Sequence, residues 1–376
     1  MPLPKRIQSL DILRGLIMVL MAIDHVRVYA GVPAGGPDPA IFFTRWVTHF
    51  CAPGFAFFAG AAAFLYGVKI DNKKQLARYL FTRGFLLVVL EFTVIRFGWT
   101  FNLDFSGFVL AGVIWMLGVC MILLGFLVRY DAKTVGIAGL AIIFFQRVFA
   151  YVPGILPEAL RPYWEFIYSS GTDGPPWIAI LYVIVPWVGV MAAGYGFGTI
   201  LLMEEKRMRK YCHIIGLSCI AAFVIVGSIL IMTSEASENA PPFLMRLLNQ
   251  RKYPASPLYL MMTLGPLIAL IPFAEKTRGA FSDFLTVFGR VPFFYYLAHI
   301  PVIHVSALIV NSILFGSLHQ DWYGTAPFAN VPPENMWNLG ILYVVFAIDV
   351  ALLYVVSRWY LGYKSGHPGK QWLKYV

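Results

Sequence analysis

The side chains in this chain able to move a proton or an acyl group are few, and they gather in two places. Asp24, His25 and Arg27 close the first apolar run, and Arg45 and His49 open the second after a short loop. Far along the chain, Tyr295, Tyr296, His299 and His304 occupy another apolar run. Imidazole both accepts and releases a proton near neutral pH, and a neighbour that holds it in one tautomer makes it a better base. Asp24, His25 and His49 therefore make a candidate acid–base group drawn from two helices. On helix 1, Arg14 and His25 lie about 20° off a common stripe and about 16 Å apart along the axis. One face of that helix thus joins a cation near one membrane surface to an imidazole near the other. Asp24 is turned about 100° from His25, so direct contact between their side chains is not expected. Tyr295 and Tyr296 precede His299 by about one turn and share its face. Pro301 should kink the helix just beyond it, and His304, about 140° round, faces elsewhere.

The elements that must position these groups are membrane helices. Hydrophobic residues make up 59% of the chain, mean hydropathy is +0.71, and 13% of residues are charged, against about 25% in a soluble domain. Apolar runs of about 20 residues, the length that crosses a bilayer as a helix, recur from end to end. They predict an all-α fold: a polytopic integral membrane protein with about 10 transmembrane helices, forming a single domain over residues 1–376. The expected spans are roughly 10–29, 49–68, 80–97, 108–128, 135–151, 177–203, 214–232, 258–273, 291–314 and 338–357. A β-barrel would alternate apolar and polar residues over about 10 positions, which these runs do not. A buried Asp, Lys or Arg costs roughly 2.5–3.5 kcal/mol at a helix centre, so each needs a partner or a task. Glu91 and Asp349 are expected to pair with Arg83, Arg96 or backbone groups.

Charge sets the expected topology. Lys and Arg gather in alternate connections, at 69–83, 129–133, 206–210, 276–290 and 358–374, and mark that side, with both termini, as cytoplasmic. The net charge of +10 is accounted for in this way, and no nucleic-acid partner is expected. The opposite side carries long connections rich in Pro, Gly and Tyr, at 152–176, 234–257 and 317–335, of a length that commonly covers a site. Cys51, Cys120, Cys212 and Cys219 lack metal-binding spacing and are expected to be unpaired, with no metal site. Lys5 and Arg6 ahead of an apolar run suggest a secretory signal, but Asp11, Arg14, Asp24, His25 and Arg27 interrupt that run, which predicts a retained helix. No internal repeat of the kind that builds many transporters is visible, nor a glycine-rich nucleotide motif.

Four stretches carry a further signal. Arg6, Ser9, Asp11, Arg14 and Gly15 open the chain, and residues 48–60 run from Thr48 through His49, Cys51 and Pro53 to Gly60. Lys252, Tyr253 and Pro254 lead towards Gly265 and Pro266, and residues 289–299 run from Gly289 and Arg290 through Tyr296 to His299. In combination these stretches resemble the heparan-α-glucosaminide N-acetyltransferase-like family of membrane proteins over nearly the whole chain. The resemblance implies a transmembrane acyltransferase that takes an acetyl group from cytoplasmic acetyl-CoA. It would pass that group to a sugar or glycan amine or hydroxyl on the far side. Wider acyltransferase relatives place an essential His near the outer end of the first helix, where His25 lies. The lysosomal branch uses a His between helices 1 and 2, whereas residues 29–44 contain none here. That role would pass to His25 or His49.

On this resemblance His25, oriented by Asp24 or His49, is the expected base or acetyl carrier. His299 and Tyr296 would donate to the thioester oxygen. Arg14 and Arg290, with Lys5 and Arg6 next, would meet the CoA phosphates, and the pantetheine arm would run between helices 1, 2 and 9. The implied partners are a CoA thioester, a sugar or glycan acceptor, the lipid bilayer and a second copy in a homodimer. The implied location is a bacterial inner (plasma) membrane. Two rivals stand beside it: a proton-coupled transporter of a small anion or sugar working through Asp24 and His25, and a b-type cytochrome with haem between His pairs.

Overall fold

The computed structural model describes residues 6–169, 174–235 and 240–375. Lys5, expected at the CoA phosphates, lies outside them. The α-helices begin with α1 (Gln8–Tyr29), α2 (Pro39–Trp46), α3 (Cys51–Ile70), α4 (Lys73–Leu90) and α5 (Arg96–Thr100). They continue with α6 (Val113–Leu127), α7 (Ala132–Phe145), α8 (Arg161–Trp164), α9 (Trp187–Leu201) and α10 (Glu205–Thr233). The series closes with α11 (Phe243–Leu248), α12 (Pro257–Lys276), α13 (Ala280–Arg290), α14 (Pro292–Phe315) and α15 (Leu339–Gly366).

Among the described residues, 6 helical stretches are long and apolar enough to cross a membrane: Pro39–Ile70, Ala132–Ile155, Glu205–Thr233, Pro257–Lys276, Pro292–Phe315 and Leu339–Gly366. The other expected spans hold α1, α4, α6 and α9. The first two are interrupted by charge, as at Asp11 and Arg14 in α1 and at Arg78 and Arg83 in α4. The last two are 15 residues each. Length and composition therefore establish a helical integral membrane protein without deciding ten spans.

Two expectations give way. The run 177–203 is helical only from Trp187. Ahead of it, β2 (Ala179–Ile180) pairs in parallel with β1 (Leu110–Ala111), and Pro186 sits at the helix start. An apolar run alone does not distinguish a buried strand from a helix, and here Pro and the pairing decide. Residues 276–290, expected as a basic connection, contain α13, whose buried face is Ser282, Leu285, Phe288 and Gly289.

The chain packs as two compact units. The first comprises chiefly Ala52–Phe92 and Val109–Glu275. Its helices meet through glycine. Gly139 of α7 faces Gly189 of α9, and Gly84 of α4 faces Gly118 of α6, so that a Cβ at any of these positions would crowd the opposing backbone. This is the close approach that small residues allow between membrane helices. Glu91, expected to find Arg or backbone, takes backbone: its Oε2 accepts from Trp115 N–H at 3.0 Å. The carboxylate thereby caps the start of α6, where the first N–H groups lack partners within the helix.

The second unit comprises Gln8–Cys51, Thr93–Phe108 and Lys276–Val376. At its centre is α1, with Ile17, Ala22, Val26 and Tyr29 all fully buried. A Cβ on Gly15 would overlap the Leu285 carbonyl, and one on Gly289 the Asp11 carbonyl, so α1 and α13 lie backbone to backbone. Asp349 of α15 accepts from the Ser306 hydroxyl of α14 at 2.6 Å, a side-chain partner where Arg or backbone was expected. The Cys51 thiol donates to the Ile17 carbonyl at 3.2 Å and ties the start of α3 to α1.

Candidate active site

All the histidines of the candidate site lie in the second unit. Pro292 opens α14, a position that suits its fixed φ and missing N–H, and His299 follows two turns on. Its Nε2 lies 2.6 Å from His25 Nδ1 of α1, with the rings stacked at a centroid separation of 4.8 Å. The identity of the other partners sets the tautomers. His299 Nδ1 is 2.7 Å from the Tyr296 carbonyl and 3.2 Å from the Tyr295 carbonyl. A carbonyl only accepts, so Nδ1 carries the proton and Nε2 offers its lone pair. His25 Nδ1–H then donates to His299 Nε2, and the neutral His25 ring carries its lone pair on Nε2. His299 is fully buried, whereas His25 is half-buried. Tyr295 stacks on the His299 ring and Tyr296 meets it edge-on, at 5.4 and 5.1 Å between centroids.

Trp99 walls the other side of His25, edge to ring at 4.7 Å. Its own position is set by three side chains acting on three consecutive carbonyls at the end of α5. Tyr29 donates to the Trp99 carbonyl at 2.7 Å, His304 Nδ1 lies 3.2 Å from that of Gly98, and Gln320 Nε2 donates to that of Thr100 at 2.8 Å. The last carbonyls of a helix have no partner within it, and here side chains from α1, α14 and the segment after α14 supply them. Gly98 carries no Cβ, which lets α5 approach the Pro301 ring of α14. Gln320 also presents Oε1 to His304 Nε2 at 2.9 Å. Phe101 stacks on the His304 ring at 3.9 Å, and Tyr29 and Tyr323 close around it. The Tyr323 hydroxyl donates to the Tyr29 carbonyl at 3.0 Å and takes a hydrogen bond from Asn311 at 2.9 Å. Burial pushes the Tyr323 hydroxyl up to about 12, so it keeps its proton.

The other expected site residues have partners of their own. Asp24 accepts from Arg27 Nε at 2.9 Å, and Arg27 Nη1 donates to the Val32 carbonyl at 2.7 Å. Asp24 thus anchors an ion pair that closes the end of α1. His49 is buried in the 3-10 turn Val47–Phe50, and its Nδ1 donates to the Arg45 carbonyl at 3.1 Å. The ring that meets His25 Nδ1 comes from α14, where Asp24 or His49 was expected. Arg14 is half-buried on α1 and Arg290 exposed at the end of α13. The contact of Gly289 with Asp11 brings Arg290 to the stretch of α1 that carries Arg14. Trp99, Gln320 and Tyr323 were missed from sequence. Tryptophan and tyrosine at the end of an apolar run read equally well as membrane-interface residues.

The model of the family described as heparan-alpha-glucosaminide N-acetyltransferase, catalytic, matches residues 6–232, more than half of the chain. Arg14, Asp24, His25, His49 and Trp99 fall inside that segment, and Arg290, His299 and His304 lie beyond it. No curated protein matches the chain.

Proposed function

The chain belongs to the heparan-alpha-glucosaminide N-acetyltransferase catalytic family, and from that premise we propose that it transfers an acetyl group from acetyl-CoA, bound at the basic face, to a sugar or glycan amine or hydroxyl at the opposite face. Under this reading the basic loops and both termini face the cytoplasm of a bacterial cell, in agreement with the alternation of Lys and Arg. The observation that carries it is the His25–His299 pair, whose hydrogen bonds set the tautomer of a neutral His25 with its lone pair on Nε2.

His25 Nε2 takes the proton of the acceptor as that amine or hydroxyl attacks the thioester carbonyl. The carbon–sulfur bond then breaks, and the imidazolium returns the proton to the CoA sulfur. His299 accepts from His25 Nδ1–H throughout, fixing the tautomer and steadying the transient charge. Both His299 nitrogens are engaged in that arrangement, so it acts as a positioning residue through His25. Donation to the thioester oxygen falls to Tyr296 or a backbone group. Arg14 and Arg290 meet the CoA phosphates, as flexible and forked cations suited to them. Asp24 and His49 support the outer ends of α1 and α3.

Calorimetry of acetyl-CoA and CoA with the purified protein in detergent tests this reading. Micromolar binding is expected, weakened about tenfold or more in Arg14→Ala, as for loss of a charge-assisted contact. A folded protein that binds neither molecule would overturn the donor assignment and favour the proton-coupled transporter.

A further inference from the structure

The first compact unit contains a feature for which acyl transfer has no use. A slot of about 470 Å³ runs between α7, α9, α10 and α12. Its walls are apolar, formed among others by Ile137, Leu140, Phe197, Ile200, Ile215 and Leu264. Lys133, Thr199 and Tyr211 gather at one end, at the start of α7, the end of α9 and the second turn of α10. Lys133 is the one charged residue lining it among the described residues, and no carboxylate there pairs with its ammonium. Lys206, Arg207, Arg209 and Lys210 occupy the first turns of α10 beside that end. The slot opens sideways, where Ile137 is 68% exposed.

Its dimensions fit one hydrocarbon chain. From Lys133 to Phe144, along the wall formed by α7, the rise is about 16 Å, close to half of the roughly 30 Å hydrocarbon core and so to one leaflet. The apolar walls, the leaflet-matched length and the cation at the basic end describe a lipid lying with its chain inside and its headgroup at the surface. We propose that the slot binds one acyl chain of an anionic phospholipid from the leaflet beside the basic loops, with its phosphate held by Lys133 and the Tyr211 hydroxyl.

Native mass spectrometry of delipidated protein, with phosphatidylglycerol or phosphatidylcholine added in detergent, tests this. One phosphatidylglycerol per chain should survive activation that strips the phosphatidylcholine. Lys133→Ala should lower phosphatidylglycerol retention about tenfold and phosphatidylcholine retention less, since the choline cation already offsets its phosphate. Ile137→Trp, at an exposed rim position, should lower both. Equal retention of the two lipids by the wild type, or full phosphatidylglycerol retention in both variants, would overturn the proposal. So would a dimer that holds no lipid, which would assign the slot to a second copy.

Discussion

Two histidine centres sit in the same unit, joined through Tyr29 and Trp99, and the proposed function gives them opposite ends. His304 is fully buried, ringed by Phe101, Tyr29 and Tyr323, and both its nitrogens face oxygens, those of Gly98 and Gln320. That fully buried ring presents no surface to a substrate. His25 is half-buried and engages a second imidazole through Nδ1, and the proposed function assigns the base to its Nε2. Under the proposed function the same side chain therefore serves as a clamp where both its nitrogens are turned to protein oxygens, and as a base where one nitrogen is held by a second imidazole. Burial alone would rank the two the wrong way round.

Substitutions should pull the two centres apart. The largest effect is expected at the reactive one. His25→Ala should lower the rate of CoA release from acetyl-CoA, measured with a panel of amino-sugar acceptors, by about 10³-fold, within the range for loss of a general base. A thermal melt should report about 1 kcal/mol lost at the stranded His299 Nε2, less than in His304→Ala. His304→Ala should show the reverse pattern. It strands the buried Gly98 carbonyl and Gln320 amide, and a thermal melt should report a loss of about 1–3 kcal/mol, with a rate reduced far less than in His25→Ala. Tyr29→Phe removes the single hydrogen bond to the Trp99 carbonyl while keeping the ring. A cost of about 1 kcal/mol is expected, together with a small rise in KM as Trp99 loosens against His25. If His304→Ala were as inactive as His25→Ala while remaining folded, the division between clamp and reagent would fail.

Much of this arrangement was legible in the residues. Hydropathy marked the membrane helices because a bilayer demands long apolar runs, and the charged groups on α1 stood out because lipid makes them costly. The stripe joining Arg14 to His25 follows from helical periodicity on one element. What sequence did not disclose lies between elements. His25 and His299 are 274 positions apart, and no period on either helix says which ring will meet which. Asp24 was the nearer candidate and turned to Arg27 instead. Helix α13 escaped notice because its 11 residues are short and its flanks carry Lys276, Arg278 and Arg290, which read as a basic loop. The strand Ala179–Ile180 was hidden in an apolar run and became visible only through its partner Leu110–Ala111.

The central claim is that His299 prepares His25 by accepting its Nδ1 proton. It is tested most directly by comparing CoA release in His299→Ala and His299→Gln. Alanine removes the acceptor and should lower the rate about 10²-fold. Glutamine offers an amide oxygen to the same proton and should restore most of that loss, with both variants folded and binding acetyl-CoA as the wild type does. Wild-type rates in both variants, or an equal loss in the two, would contradict the claim.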